Sequence, residues 1–373
     1  MKILFVINKF AGGGRERRLV QLIRGLDKIG GFELHATIFW DKIEYPEVEE
    51  TSLIIHHLSI KNRHDQFQQY KSLVEDIRPD IIHSWIETPT ECLILPLLAK
   101  KYKCKYIAGF VADGNKIKSF IQRVAVKYTF AKADAIISNS RAGLIAKSAP
   151  LNKSHVIYNG FDDNRLSKAN RNEKRKELGI TFKYLVTMAA RINGVKDWDM
   201  YIDLAEKSAD NQLDVQFLAV GNGEELEYYQ QMVKQRQLKN ISFIGRRTDV
   251  EEIIDASDIC VLFTNNERHA EGVSNFIMEA MAAHKPVIAT DGGGTPEIID
   301  NGIDGYIIPA GNVEKAFHYV CLLINNNDAI KVLGSNARQK IESKFTLSSM
   351  TESFVDLYQQ LMINENTTHR AIT

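Results

Sequence analysis

Short, unbroken apolar runs recur along this chain of 373 residues, and most are followed by a segment of helical periodicity. The first run, KILFVIN at 2–8, is continuous rather than alternating, as a strand covered on both faces must be. It breaks at Ala11-Gly12-Gly13-Gly14, and 15–26 then carries Leu19, Leu22, Ile23 and Leu26 at helical spacing. Further strands are predicted at 34–40, 53–58, 81–84, 106–111, 135–138 and 156–158, with helices at 66–77, 91–102 and 116–131. Buried-type strands alternating with helices require an open parallel sheet covered on both sides. The first 160 residues therefore read as one Rossmann-like domain.

Asn159-Gly160-Phe161-Asp162 interrupts the alternation, and a charged stretch follows as far as Gly179. The crossing between domains is placed at 159–162. A second series then begins, with strands at 184–189, 215–220, 241–244, 259–263 and 286–290. Helices are expected at 198–208, 225–236 and 250–256, and two helical segments, about 313–345 and 348–363, close the chain. The fold class is α/β, with two Rossmann-like parallel-sheet domains at 1–160 and 161–347. Ligands are expected at the carboxyl ends of the strands, in a cleft that the two domains face.

Composition narrows the function. Apolar content of 44% and charged content of 25% are those of a soluble globular protein. No run approaches the roughly 18 apolar residues of a membrane span, and MKILFVINKF is too short for a signal peptide, so a cytoplasmic place is expected. Cys92, Cys104, Cys260 and Cys321 show no CxxC spacing, which argues against a zinc site or a disulfide frame. The zero net charge hides an asymmetry: residues 1–160 hold 24 Lys+Arg against 16 Asp+Glu. At 101–153, 11 basic residues face only Asp113 and Asp134. Such a region is either a solvated lysine-rich surface or a face for a phosphate-bearing ligand or an anionic membrane, with the amphipathic 116–131 helix as the docking element.

The stretch 266–300 holds the densest chemistry. Glu271 and Glu279 stand eight positions apart in a loop–helix arrangement, followed by a strand and the glycines Gly292 to Gly294. Two carboxylates beside a helix amino end suit a ligand with both hydroxyls and phosphate. Arg191 and Lys196, just beyond the strand at 184–189, could neutralise a departing diphosphate. Gly13 and Gly14 would act through backbone N–H groups, or form a plain tight turn. His83, at a strand end, suits acceptor contact or proton transfer, and equally a satisfied buried histidine; His269 reads as a loop histidine. A dinucleotide site is the rival reading of the first glycine loop, with Asp41 as its ribose acid, but Arg17 occupies the third glycine position of GxGxxG. There is no Ser-His-Asp order, no HExxH and no metal-type acidic pair.

In this order and spacing the motifs resemble those of the retaining, nucleotide-sugar-dependent glycosyltransferases of the GT-B fold, specifically glycosyltransferase family 4 (the group 1 glycosyltransferases). Gly13-Gly14-Arg15-Glu16-Arg17 is similar to the family's GGxER, and VIYNGFD at 156–162 to its VIPNGID hinge. Arg191 and Lys196 match its phosphate-binding pair, Gly221-Asn222-Gly223 and Phe243-Ile244-Gly245 its segments around the nucleobase, Glu271 to Glu279 its E-x7-E, and Gly293 to Glu297 its GGxxE. The resemblance implies that Glu271 holds donor-sugar hydroxyls near the reacting face, Glu279 binds the ribose, and Arg191 and Lys196 stabilise the leaving diphosphate. Amides near Gly13, Gly14, Ser274, Asn275 and Phe276 would add donors, while Gly221, Gly245 and Arg246 would lie by the nucleotide. His83 and Asp113 are the acceptor-side candidates, and the last helix would return to the first domain.

The resemblance further implies retention of configuration, no metal, and no cofactor beyond a nucleotide-sugar co-substrate of UDP or GDP type. The acceptor would be a glycan or lipid-linked sugar in polysaccharide or cell-envelope synthesis. The protein would be peripheral on the inner face of the plasma membrane and have no nucleic-acid partner. One departure stands out: Phe110-Val111-Ala112-Asp113-Gly114 puts Ala112 where many members carry a sugar-contacting histidine. A nucleotide-sugar epimerase of the same architecture and a catalytically silent nucleotide-sugar-binding subunit are the alternative readings.

Overall fold

The structure is a computed structural model that describes residues 1–40, 43–111, 117, 119–166 and 170–370, the stretch 364–370 by its backbone only. The chain divides into two compact units, Met1–Gly160 with Leu347–Thr373, and Phe161–Thr346. Each is an α/β layer structure on a parallel sheet.

The first unit has seven strands: β1 (Lys2–Val6), β2 (Glu33–Ile38), β3 (Ile54–His57), β4 (Ile81–Ser84), β5 (Lys105–Val111), β6 (Ala135–Ser138) and β7 (Ser154–Val156). Their spatial order is β3-β2-β1-β4-β5-β6-β7, and every pairing is parallel. The chain runs outward from β1 to β3, then returns to place β4 on the other side of β1. The order thus reverses at β1, the position where open α/β sheets leave a ligand crevice at their carboxyl ends. Alternate residues of β1 feed separate cores: Leu4 and Val6 join one side, Ile3 and Phe5 the other. This double burial is the physical reason for the continuous apolar run.

The closing helix, Leu347–Arg370, belongs to this first unit and packs on the helix Gly14–Ile29. Met350, Phe354, Leu357 and Tyr358 complete the core on the Ile3 side.

The second unit has six parallel strands: β8 (Tyr184–Ala189), β9 (Val215–Val220), β10 (Ile241–Phe243), β11 (Ile259–Leu262), β12 (Val287–Thr290) and β13 (Tyr306–Ile308). Their order is β10-β9-β8-β11-β12-β13, so the reversal lies between β8 and β11.

Several elements differ from the sequence expectation. β13 is an added edge strand, three residues long and too short to show a period. The charged crossing contains a helix, Arg171–Glu177, anchored by polar rather than apolar groups. Arg171 donates to the Ser257 carbonyl at 2.7 Å and Lys174 pairs with Asp249 at 2.8 Å, so no hydrophobic period announces it. The single long segment at 313–345 is two helices, Val313–Ile324 and Asn327–Lys344, because the Asn326 side chain caps the second by accepting from Ala329 N at 3.1 Å. The basic helix is described over Phe120–Lys132. Its apolar residues divide, Val126 and Phe130 entering the core while Phe120, Ile121 and Val124 face outward. Among the described residues, no helix is long and apolar enough to cross a membrane.

Phe354→Ala removes a fully buried ring that joins the closing helix to the first unit. A loss of about 3–5 kcal/mol is expected in the urea unfolding of that unit, with faster amide exchange along the closing helix.

Candidate active site

The loops after β8, β9 and β10 are tied to one another through their backbones. Ala190 N donates to Val220 O at 3.0 Å, Ile192 N to Asn222 O at 3.1 Å, and Gly221 N to Gly245 O at 2.9 Å. Gly221 has φ +149°, and a Cβ there would strike the Ala190 carbonyl, so only glycine lets these chains approach. The Trp198 indole donates to Arg191 O at 3.0 Å and anchors the loop that carries both cations. Arg191 itself is exposed, and among the described residues its guanidinium makes no ion pair.

Lys196 behaves differently. An isolated bridge with Thr264 brings it beside the chain leaving β11, where its ammonium is paired with the Glu271 carboxylate. The Thr264 hydroxyl donates to the same carboxylate oxygen at 2.9 Å, and His269 Nε2 lies 3.8 Å from it. Burial pushes the Lys196 ammonium down to about 7. A second anion arriving at this point would hold the lysine charged while releasing Glu271 to accept from hydroxyls.

Glu271 is placed by the glycine loop that follows β12. Gly294 N donates to Glu271 O at 2.8 Å. Gly293 has φ +56°, and a Cβ on it would run into the Glu271 backbone, within 2.7 Å of its nitrogen. The cluster that reads in sequence as an anion loop is therefore also the support of the carboxylate.

Glu279 lies on the helix Asn275–Ala282, whose other described side chains from Phe276 to Ala282 are buried. Its carboxylate accepts from Arg165 Nη2 at 3.0 Å. The same guanidinium pairs with Glu251 and sits 5.7 Å from the Phe161 ring centroid. Arg165, Glu251 and Thr264 are absent from the sequence reading. Arg165 stands in a charged stretch that resembles solvated surface, and no spacing rule links it to a helix more than a hundred residues away. Ser274 is the residue before the helix, with Asn275 and Phe276 in its first turn, so their amides are at its amino end. Arg246 is exposed beside Gly245.

In the first unit Gly13 is the cap of the helix Gly14–Ile29. Its carbonyl accepts from Arg17 N at 3.0 Å and from the Tyr45 hydroxyl at 3.1 Å. The Glu16 carboxylate lies over Gly13 and is paired with Arg15 at 2.9 Å, so this amino end already has an anion of its own chain beside it. His83 departs from the expectation of an acceptor contact. It is 0% exposed, bonded through Nδ1 to the Tyr358 hydroxyl at 2.8 Å and packed among Phe5, Trp85 and Phe354. Burial holds it well below the usual histidine range, so it is a neutral core residue out of reach of a ligand. Asp41, Ala112 and Asp113 lie outside the described residues.

Comparison with known proteins finds a family model that matches much of the second unit, and relatives of the chain as a whole. Residues 170–340 match the family described as Glycosyl transferases group 1. An uncharacterized glycosyltransferase of Methanocaldococcus jannaschii is 26% identical over 354 residues, covering 89% of this chain and 95% of that protein. The Escherichia coli UDP-Gal:alpha-D-GlcNAc-diphosphoundecaprenol alpha-1,3-galactosyltransferase is 27% identical over 221 residues, 57% of this chain and 56% of that protein. Among solved structures, Anabaena HepE in complex with UDP-glucose superposes with a TM-score of 0.85 at 20% identity, over 96% of this chain and 100% of that one. Sucrose-phosphate synthase from Thermosynechococcus elongatus superposes at 0.81 with 17% identity, over 97% and 99%. The shared fold is GT-B, two Rossmann-like parallel-sheet domains.

Gly293→Ala forces a Cβ into the Glu271 backbone at a left-handed position. It is expected to lower the stability of the second unit by more than about 1 kcal/mol, read by thermal unfolding. An unchanged melting temperature would mean that the glycine does not support Glu271.

Proposed function

We propose that this chain, a group 1 glycosyltransferase, moves a sugar from a nucleoside diphosphate donor to a hydroxyl of a glycan or lipid-linked acceptor, with retention of anomeric configuration. The observation that carries this reading is the set at the carboxyl ends of β8 and β11: an exposed Arg191 with no ion-pair partner among the described residues, and a desolvated Lys196 shared with Glu271. Cleavage of the bond between the anomeric carbon and phosphate oxygen leaves an extra negative charge on the diphosphate. A guanidinium and a poorly hydrated ammonium stabilise that charge more than they stabilise the bound donor, which is what lowers a barrier. Glu271, released by the incoming phosphate, accepts from sugar hydroxyls near the reacting face. Glu279, steadied by Arg165, accepts from the ribose. The second unit is then the donor-binding domain and the first the acceptor side. UDP is the favoured nucleotide, since the E. coli relative is named for a UDP-sugar and HepE was solved with UDP-glucose. The same relative's lipid-diphosphate acceptor supports a place in cell-envelope synthesis.

A lipid-linked acceptor requires access to a membrane surface. In the first unit, Phe120 and Ile121 are 71% and 69% exposed, with Arg123 and Lys127 exposed on the same helix. Apolar wedges interleaved with cations suit an anionic interface.

Glu279→Ala is expected to weaken UDP binding about 10- to 100-fold by loss of charge-assisted hydrogen bonds, measured calorimetrically. Arg191→Ala should lower kcat about 100-fold. Full activity of both variants with a working donor would refute the site, and isomerised donor released without acceptor would favour the epimerase. Binding to phosphatidylglycerol vesicles should fall steeply between low and high salt and weaken in Phe120→Ser/Ile121→Ser. Absent or salt-independent binding would rule out the membrane role.

A further inference from the structure

The chain has three tryptophans. Trp85 and Trp198 are buried at 1% and 0% exposure, whereas Trp40 is 58% exposed. Its place in the fold is specific. It follows β2, and its backbone N–H and that of Phe39 both donate to Asn8 O, at 3.3 and 2.8 Å. Phe39 turns inward and meets the Tyr70 ring edge-on at 6.3 Å, which leaves Trp40 turned outward. Further along, Glu44 N donates to Phe10 O at 2.8 Å, and Phe10 and Ile43 form a parallel bridge. The loop after β1 and the chain after β2 are therefore laced together at the carboxyl end of the sheet, beside the strand where its order reverses.

Two cation–aromatic pairs sit on this platform. Lys9 Nζ lies 5.8 Å from the Trp40 ring centroid, and Arg17 Cζ lies 5.3 Å from that of Tyr45. Tyr45 is in turn fixed by its hydroxyl on Gly13 O. A pyranose presents a face of C–H groups that packs on a flat ring, and its equatorial hydroxyls stay hydrated at the rim. A ring with only two side-chain torsions does this at small entropic cost. An ammonium held beside that ring attracts a negative group on the same saccharide.

We propose that Trp40 and Lys9 form the acceptor subsite of this enzyme, and that the acceptor is an anionic pyranose, its ring stacked on the indole and its phosphate or carboxylate drawn to Lys9. The assignment rests on the glycosyltransferase reading above and narrows its acceptor to a charged saccharide.

The full chain has one exposed indole, so iodide quenching of its fluorescence reads Trp40 directly. α-Hexose 1-phosphates of gluco, galacto and N-acetylgluco configuration, their neutral parent sugars, glucuronic acid and inorganic phosphate are titrated against it, with UDP binding measured in parallel. At least one charged sugar should shield Trp40 at a concentration about tenfold lower than its neutral parent, and inorganic phosphate alone should not shield it. The hexose phosphates and glucuronic acid together tell which anion is preferred. Lys9→Met should erase the difference between charged and neutral sugars, and Trp40→Phe should abolish the signal while leaving UDP affinity unchanged. UDP binding with no shielding by any saccharide, or equal shielding by charged and neutral forms, overturns the subsite alone. Failure of UDP to bind overturns the nucleotide-sugar reading and this one with it.

Discussion

A largely desolvated ammonium held on a carboxylate organises the site of the second unit. Lys196 is pushed toward neutrality by desolvation and reaches Glu271 across the carboxyl ends of β8 and β11. An isolated desolvated charge would be costly, and the pairing with Glu271 offsets that cost. In the proposed reading a donor phosphate takes the carboxylate's place at Lys196. The Thr264 hydroxyl donates to the same Glu271 oxygen, and His269 lies 3.8 Å from it.

Backbone contacts hold this pair in register. The loops after β8, β9 and β10 bond to one another rather than to solvent, and Gly221 is the position at which a side chain would part them. Gly293 serves the same purpose under Glu271. Glycine here works less as an anion cradle than as the absence of a Cβ between chains that must touch, which places the carboxylate on rigid supports. Glu279 is supported by charge instead, through an arginine that also pairs with Glu251 and lies on Phe161.

Most strands were legible because the physics that forms them is local. A strand buried on both faces must be largely apolar, and the expected limits of β4, β6, β8 and β9 coincide with the structure. β13 was not legible, being three residues on a sheet edge. Nor was the helix Arg171–Glu177, whose anchors are hydrogen bonds to carbonyls and carboxylates some 80 residues away and leave no period. The outward turn of Phe120, Ile121 and Val124 was likewise hidden, since an apolar stripe reads the same whether or not a sheet covers it.

The sequence by itself determined the two parallel sheets and named the charged side chains worth attention, because burial period and residue chemistry are properties of short stretches. Tertiary structure decided which of those groups meet. It paired Lys196 with Glu271, supplied Arg165 to Glu279, left Arg191 and Trp40 exposed, and enclosed His83 beneath the closing helix. Partner choice and solvent access depend on residues far apart in the chain brought within a few ångströms, and no local pattern encodes that.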